Sequence, residues 1–193
     1  MRHRETFGMK LPPAGFIAGM AALSLVFGWV ARGAILMPPD RATVTVIDSW
    51  RLACPQRSAL NVACELVQDV VDARTRATVV RFVITRRGGR PVLDIVAPFN
   101  VLIAPKLGMQ LGDTPMAAYA YRTCAGVGCI ATIKPDDALY NSIVHAKKIG
   151  IFYAGVNGQV QGYQLVLKSY DDAVRMLDDS EAKRHSWLRR VLL

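Results

Sequence analysis

Phosphate-binding loops, dinucleotide fingerprints and thiol redox motifs are all missing from this chain. There is no G-x-x-x-x-G-K-[S/T] and no G-x-G-x-x-G, so the backbone cradle for a nucleotide's phosphates is absent, and Gly126-Val-Gly128 is too short to replace it. Histidine is scarce. Of three, His3 and His185 lie near the ends, which leaves His145 alone in the body of the chain. No serine or cysteine motif accompanies it, and a hydrolytic triad needs a nucleophile held against its base. Neither cysteine pair is Cys-x-x-Cys, and Cys129 is followed by Ile130. A thioredoxin-type site and a haem attachment sequence are both excluded. Three aspartate pairs, Asp136-Asp137, Asp171-Asp172 and Asp178-Asp179, resemble acid/base carboxylates, but two of them fall at expected helix starts, where carboxylates favour the N-terminal dipole. The chain is therefore read as no enzyme, with no catalytic residue, no cofactor and no metal.

Acidic residues are also few, 15 against 24 lysines and arginines, for a formal net charge of +9. The surplus is uneven. Residues 1–37 carry four bases and one acid, and residues 182–193 carry four bases and no acid, so the ends hold +3 and +4 and the middle only +2. A nucleic-acid binder spreads its bases over one face of the folded domain. With the excess on the tails, nucleic acid is not an expected partner.

What is present begins with one long uncharged run. Arg2, His3, Arg4 and Lys10 precede Leu11 to Ala31, which ends at Arg32. A helix of that length covers roughly 31 Å, the hydrocarbon thickness of a bilayer. Pro12 and Pro13 suit its first turn, and Pro38 with Pro39 stops it. A cleaved signal peptide has a shorter apolar region, about 7 to 15 residues, and a small-x-small cleavage site. The best candidate here, Ala31-Arg32-Gly33, has arginine at its centre. The expected organisation is a cytoplasmic n-region (1–10), a transmembrane signal anchor (11–37), a periplasmic domain (38–181) and a basic amphipathic tail (182–193). The bases before the span keep the N-terminus cytoplasmic. Gly15-x-x-x-Gly19, with Ala18 and Ala22, offers a small-residue face on which a second membrane helix can pack.

From Asp40 the hydrophobic period shifts to two. Strands are expected at 43–47, 50–54, 62–67, 77–85, 91–96, 98–103, 106–111, 116–123, 129–134, 149–154 and 160–168. Helices are expected from an Asp136 cap to about Ala146, and from Ser169, with Asp172 completing a capping box. The fold class that follows is mainly β, a β-sandwich with two short helices behind one N-terminal transmembrane helix. Trp50 reads as a core anchor. Candidate docking cations are Arg86, Arg87 and Arg90 on a hairpin tip, and Lys183, Arg184, Arg189 and Arg190 with Trp187 in the tail. Such a tail can lie on an anionic leaflet.

The four cysteines stand as Cys54 with Cys64 and Cys124 with Cys129. The second pair brackets Gly126 and Gly128, whose freedom at positive φ permits a tight loop closed by a disulfide. Free thiols and a four-thiolate zinc site are the alternatives, although zinc pairs usually lie two to four residues apart. Disulfides would imply an oxidising compartment.

A family pattern emerges from Trp50 and Cys54, Cys64-Glu-Leu-Val-Gln68, Pro98-Phe-Asn-Val-Leu102, Leu107-Gly-Met-Gln-Leu111, Tyr121-Arg-Thr-Cys124, Gly128-Cys129-Ile-Ala131 and Leu167-Lys-Ser-Tyr170. Over about residues 44–178 the chain resembles the invasion-associated locus B family of alphaproteobacterial envelope proteins. The resemblance implies a periplasmic or secreted β-sandwich, cysteines paired within each half, and no catalytic residues to carry over. Two departures stand out: typical members resemble cleaved secretory proteins whereas this chain resembles an anchored one, and Ser169 occupies a position where the family usually has glycine. The reading is a non-enzymatic, inner-membrane-anchored periplasmic interaction protein, fit to be an accessory subunit beside a protein partner in or on the inner membrane. The alternative is a processed, secreted or surface factor that contacts host or outer envelope.

Overall fold

The computed structural model describes residues 41–185, other than 57, 58 and 60, together with Ser24. Asp40–His185 forms one compact unit. Gly15, Ala18, Gly19, Ala22, Trp187, Arg189 and Arg190 lie outside the described residues. Among the described residues no helix is long and apolar enough to cross a membrane.

Alternating apolar and polar residues build two antiparallel sheets. The larger has seven strands: β1 (Thr43–Ile47), β2 (Trp50–Cys54), β3 (Glu65–Val71), β4 (Thr78–Arg87), β5 (Arg90–Ala97), β8 (Tyr121–Ala125) and β9 (Gly128–Ile133), in the order β1-β2-β3-β4-β5-β9-β8. The smaller holds β6 (Leu107–Leu111), β7 (Ala117–Tyr119), β10 (Lys148–Ala154) and β11 (Val160–Val166), in the order β11-β10-β6-β7. Residues two apart share a face, so Val80, Phe82 and Ile84 of β4 point inward with Leu93 and Ile95 of β5. They join Met109, Ile149, Ile151 and Leu165 of the smaller sheet in a single core cluster. Gln68 is buried beside them and reaches across the layers, its amide donating to Ser49 Oγ at 2.9 Å and to the Val166 carbonyl at 3.1 Å, while its side-chain oxygen finds no partner among the described residues.

Two helices complete the domain. Asp136 caps α1 (Asp137–His145), its Oδ1 accepting from the Leu139 N–H at 2.8 Å. The second, α2 (Tyr170–His185), buries Tyr170, Ala173, Val174 and Leu177 in the common core. Trp50 anchors this junction: it is fully buried, lies edge-on to Phe82 at 6.2 Å and 5.5 Å from Tyr170, and donates its indole N–H to the Lys168 carbonyl.

Local pattern misplaces five features. The strand expected at 98–103 reduces to one bridge, Val101 to Gly155, because this stretch bends around the sandwich end between Pro98 and Pro105. The strand expected at 62–67 begins only at Glu65, since Cys64 is held in the first cysteine loop. The strand expected at 116–123 is interrupted at Ala120, where the chain leaves the smaller sheet as β7 and enters the larger as β8. Nor does Ser169 cap α2. Its φ is +56°, and its hydroxyl donates to Asp48, which itself has φ +52°. That left-handed backbone is the physical reason for glycine to be favoured there, and the Asp48 bond offsets part of the cost of serine. Finally, α2 continues through His185, past the expected tail boundary at 182.

Candidate functional site

One end of the sandwich gathers most of the site candidates that lie among the described residues. Thr43 pairs with Cys54, Cys54 is bridged to Cys64, and the Cys64 N–H donates to the Glu181 carboxylate on α2. The approach to β1, the first cysteine loop and the last turn of α2 are thereby held at the same end. The β4–β5 hairpin tip joins them: Arg87 pairs with Arg90 across Gly88 and Gly89, whose φ values of +60° and +78° suit a type I′ turn.

All four cysteines are bridged, Cys54 to Cys64 and Cys124 to Cys129, and none is free. The free-thiol and zinc alternatives are therefore removed. By loop-closure entropy, replacing Cys54 and Cys64 with serine is expected to cost about 3 kcal/mol, and replacing Cys124 and Cys129 about 2 kcal/mol. Urea unfolding of the two double variants beside the oxidised parent checks that order.

The structure corrects two of the expected docking cations. Arg86 is not open to an external anion: its guanidinium forks onto Asp178 at 2.6 and 2.9 Å, donates to Tyr140 Oη at 3.2 Å and lies over that ring. Burial pulls its pKa down, but Asp178 and Tyr140 outweigh burial and hold it above the ordinary arginine value. Arg184 is 6% exposed, and donates to the carbonyls of Val62 and Ala59 at 2.8 Å and of Gln56 at 3.4 Å, with Glu181 Oε1 at 3.4 Å. It is a clamp on the first cysteine loop. Arg87 is half-exposed and paired with Asp94 at 3.1 Å, while Arg90 and Lys183 are exposed. A polar cleft of about 460 Å³ opens between Glu65, Thr85, Arg87, Glu181 and His185.

Glu181 and Asp48 are structural carboxylates that sequence reasoning missed, and Asp178, noted there only as one of an aspartate pair, is the partner of Arg86. Of the two missed, Glu181 left a trace, three residues before Arg184 on one helix face. On the outer face of the larger sheet, Asp69 bridges Arg51 and Arg81; burial pushes its carboxyl up, and the two guanidiniums bring it below the usual range. His145 is exposed, its Nδ1 2.7 Å from the Asn141 carbonyl of its own helix. Among the described residues no group of three or more His, Cys, Asp or Glu side chains could hold a metal ion.

The opposite end is apolar. Phe99, Val127 and Val156, from three separate loops, are each more than half exposed. A groove of about 290 Å³ reaches Phe99 and Val127, and another of about 390 Å³ reaches Val156, with Pro98 in both.

Residues 50–178 match the family model described as invasion associated locus B (IalB) protein. The chain belongs to the IalB family. Its fold is similar to that in the crystal structure of invasion associated protein B from Bartonella henselae, with a TM-score of 0.62 and 16% identity, over 72% of this chain and 98% of that one. Comparison with curated proteins gives no match. The IalB match spans both cysteine loops and stops within α2, short of the Glu181–Arg184 clamp.

Proposed function

We propose that this IalB protein is a non-enzymatic interaction module of the periplasm, held at the inner membrane by its 11–37 segment, and an accessory subunit of a larger membrane complex. The observation that carries the reading is the common end of the domain. The chain approaches β1 where α2 finishes, beside Arg87, Arg90 and Lys183. A membrane on that side would meet the tether and the exposed bases together, each surface cation contributing about 1 kcal/mol. Two disulfides suit an oxidising compartment. The apolar loops at Phe99, Val127 and Val156 then face away from the bilayer, towards a partner.

Alkaline carbonate extraction followed by blue-native electrophoresis tests this. The protein is expected to stay in the membrane pellet and, after mild detergent, to migrate with other membrane proteins identifiable by mass spectrometry. Release into the carbonate supernatant, or migration without any companion, contradicts the proposal.

A further inference from the structure

We infer that the open edge of β1 is a pairing site for β1 of a second copy of this chain. Among the described residues β1 stands at the end of the larger sheet's strand order, with no strand on its far side. Its sequence, Thr43-Val-Thr-Val-Ile47, holds no charge, proline or glycine, and its register with β2 is unbroken. Edge strands are normally guarded by a lysine, a proline, a bulge or sheer shortness. The other end strands have such features or are partly covered: β8 has a register shift between Tyr121 and Thr123, β7 is three residues long, and β11 carries Gly162 and gives the Val166 carbonyl to Gln68.

The turn fixes which backbone groups face outward. Ile47 and Trp50 flank the two-residue turn Asp48-Ser49, and a pair so placed exchanges hydrogen bonds. Bonded and non-bonded pairs alternate along an antiparallel ladder. Thr45 and Thr43 therefore bond to β2, and the N–H and C=O of Val44 and Val46 point to the open side. A two-fold axis through Thr45 sets Val44 of each copy opposite the partner's Val46, with about four backbone hydrogen bonds between them. It also covers the side chains of Val44 and Val46, now 63% and 67% exposed. The same register brings Arg41 to the partner's Asp48-Ser49 turn, a meeting of opposite charges.

So small a contact holds two free molecules together only on the order of millimolar. This is where the inference rests on the anchored reading. β1 starts four residues after Pro39, and short linkers give tethered sites roughly millimolar effective concentrations. Gly15-x-x-x-Gly19 lets the anchors pack on one another as well.

Thr45 sits on the axis at a non-bonded position, where Cα atoms approach to roughly 4.5 Å, close enough for a disulfide. The test uses the full chain in native membranes with Thr45→Cys, and Gln164→Cys on the exposed face of the smaller sheet as the collision control. Mild oxidation is expected to give at least about five-fold more disulfide dimer for Thr45→Cys, and Val46→Lys added to it should return the yield to the control level. Dimer at or below the control, or a mixed disulfide with a different protein, overturns the inference. Fractionation of the same samples separates the two readings. Dimer in the soluble fraction supports edge pairing and removes the anchor, whereas monomer in the membrane pellet overturns edge pairing and leaves the anchor standing.

Discussion

Replacing Arg184 by alanine is expected to destabilise the domain by about 3 to 5 kcal/mol, the range for stripping one partner from a buried charge cluster. The guanidinium is the shared donor for three carbonyls of the first cysteine loop and lies beside the buried Glu181 carboxylate. Without it those acceptors lose their partner in a place water reaches poorly, and Glu181 is left, among the described residues, with the Cys64 N–H and His185. Lysine at this position should recover only part of the loss, because one compact ammonium nitrogen cannot occupy both places from which Nη1 reaches Val62 and Nη2 reaches Ala59 and Gln56. Adding Glu181→Gln to Arg184→Ala should also recover part, since a neutral amide needs no counter-charge. Lys183→Ala, on the exposed neighbour, should stay within about 0.5 kcal/mol of the parent. Urea midpoints under oxidising conditions measure all four. An Arg184→Ala midpoint indistinguishable from the parent would show that the clamp contributes nothing.

Gly128→Ala carries the second large effect. This residue has φ +144°, and a Cβ there would stand 2.2 Å from the Ala97 carbonyl oxygen and 2.9 Å from Val96 Cγ1. Both belong to β5, against which β9 is registered, so relief requires the second cysteine hairpin to lift from its sheet. A loss of about 3 kcal/mol or more is expected, strain and displaced pairing together. Gly126, two residues away, has φ +59° and open space where its Cβ would go. Gly126→Ala should cost only about 1 to 2 kcal/mol, the left-handed penalty alone, and Gly126→Asn less. Thermal unfolding of the oxidised variants compares them, and equal losses at the two positions would refute the steric account.

These residues also mark how far the sequence is legible. Strand alternation is local, so β4, β5 and their Gly88-Gly89 turn can be read directly, as can the Asp136 cap and Trp50. Gly126 and Gly128 can be read as turn glycines, but not as unequal ones, because the Ala97 carbonyl that separates them is about thirty residues distant in the chain. The change of sheet at Ala120 has no local signature, since β7 and β8 are both extended. Arg184 resembles a solvated tail base for the same reason: its acceptors lie more than 120 residues earlier. Its resemblance to a docking cation came from charge alone, and burial reversed it.

An intact, oxidised chain at the membrane is what we propose, and the intact mass of the protein extracted from membranes under thiol-blocking conditions tests it most directly. The expected mass is that of the full 193 residues less four hydrogens, one pair for each bridge, with no blocking group attached. A mass starting near Ala34 would contradict the proposed anchor, and one carrying blocked thiols would contradict the two bridges.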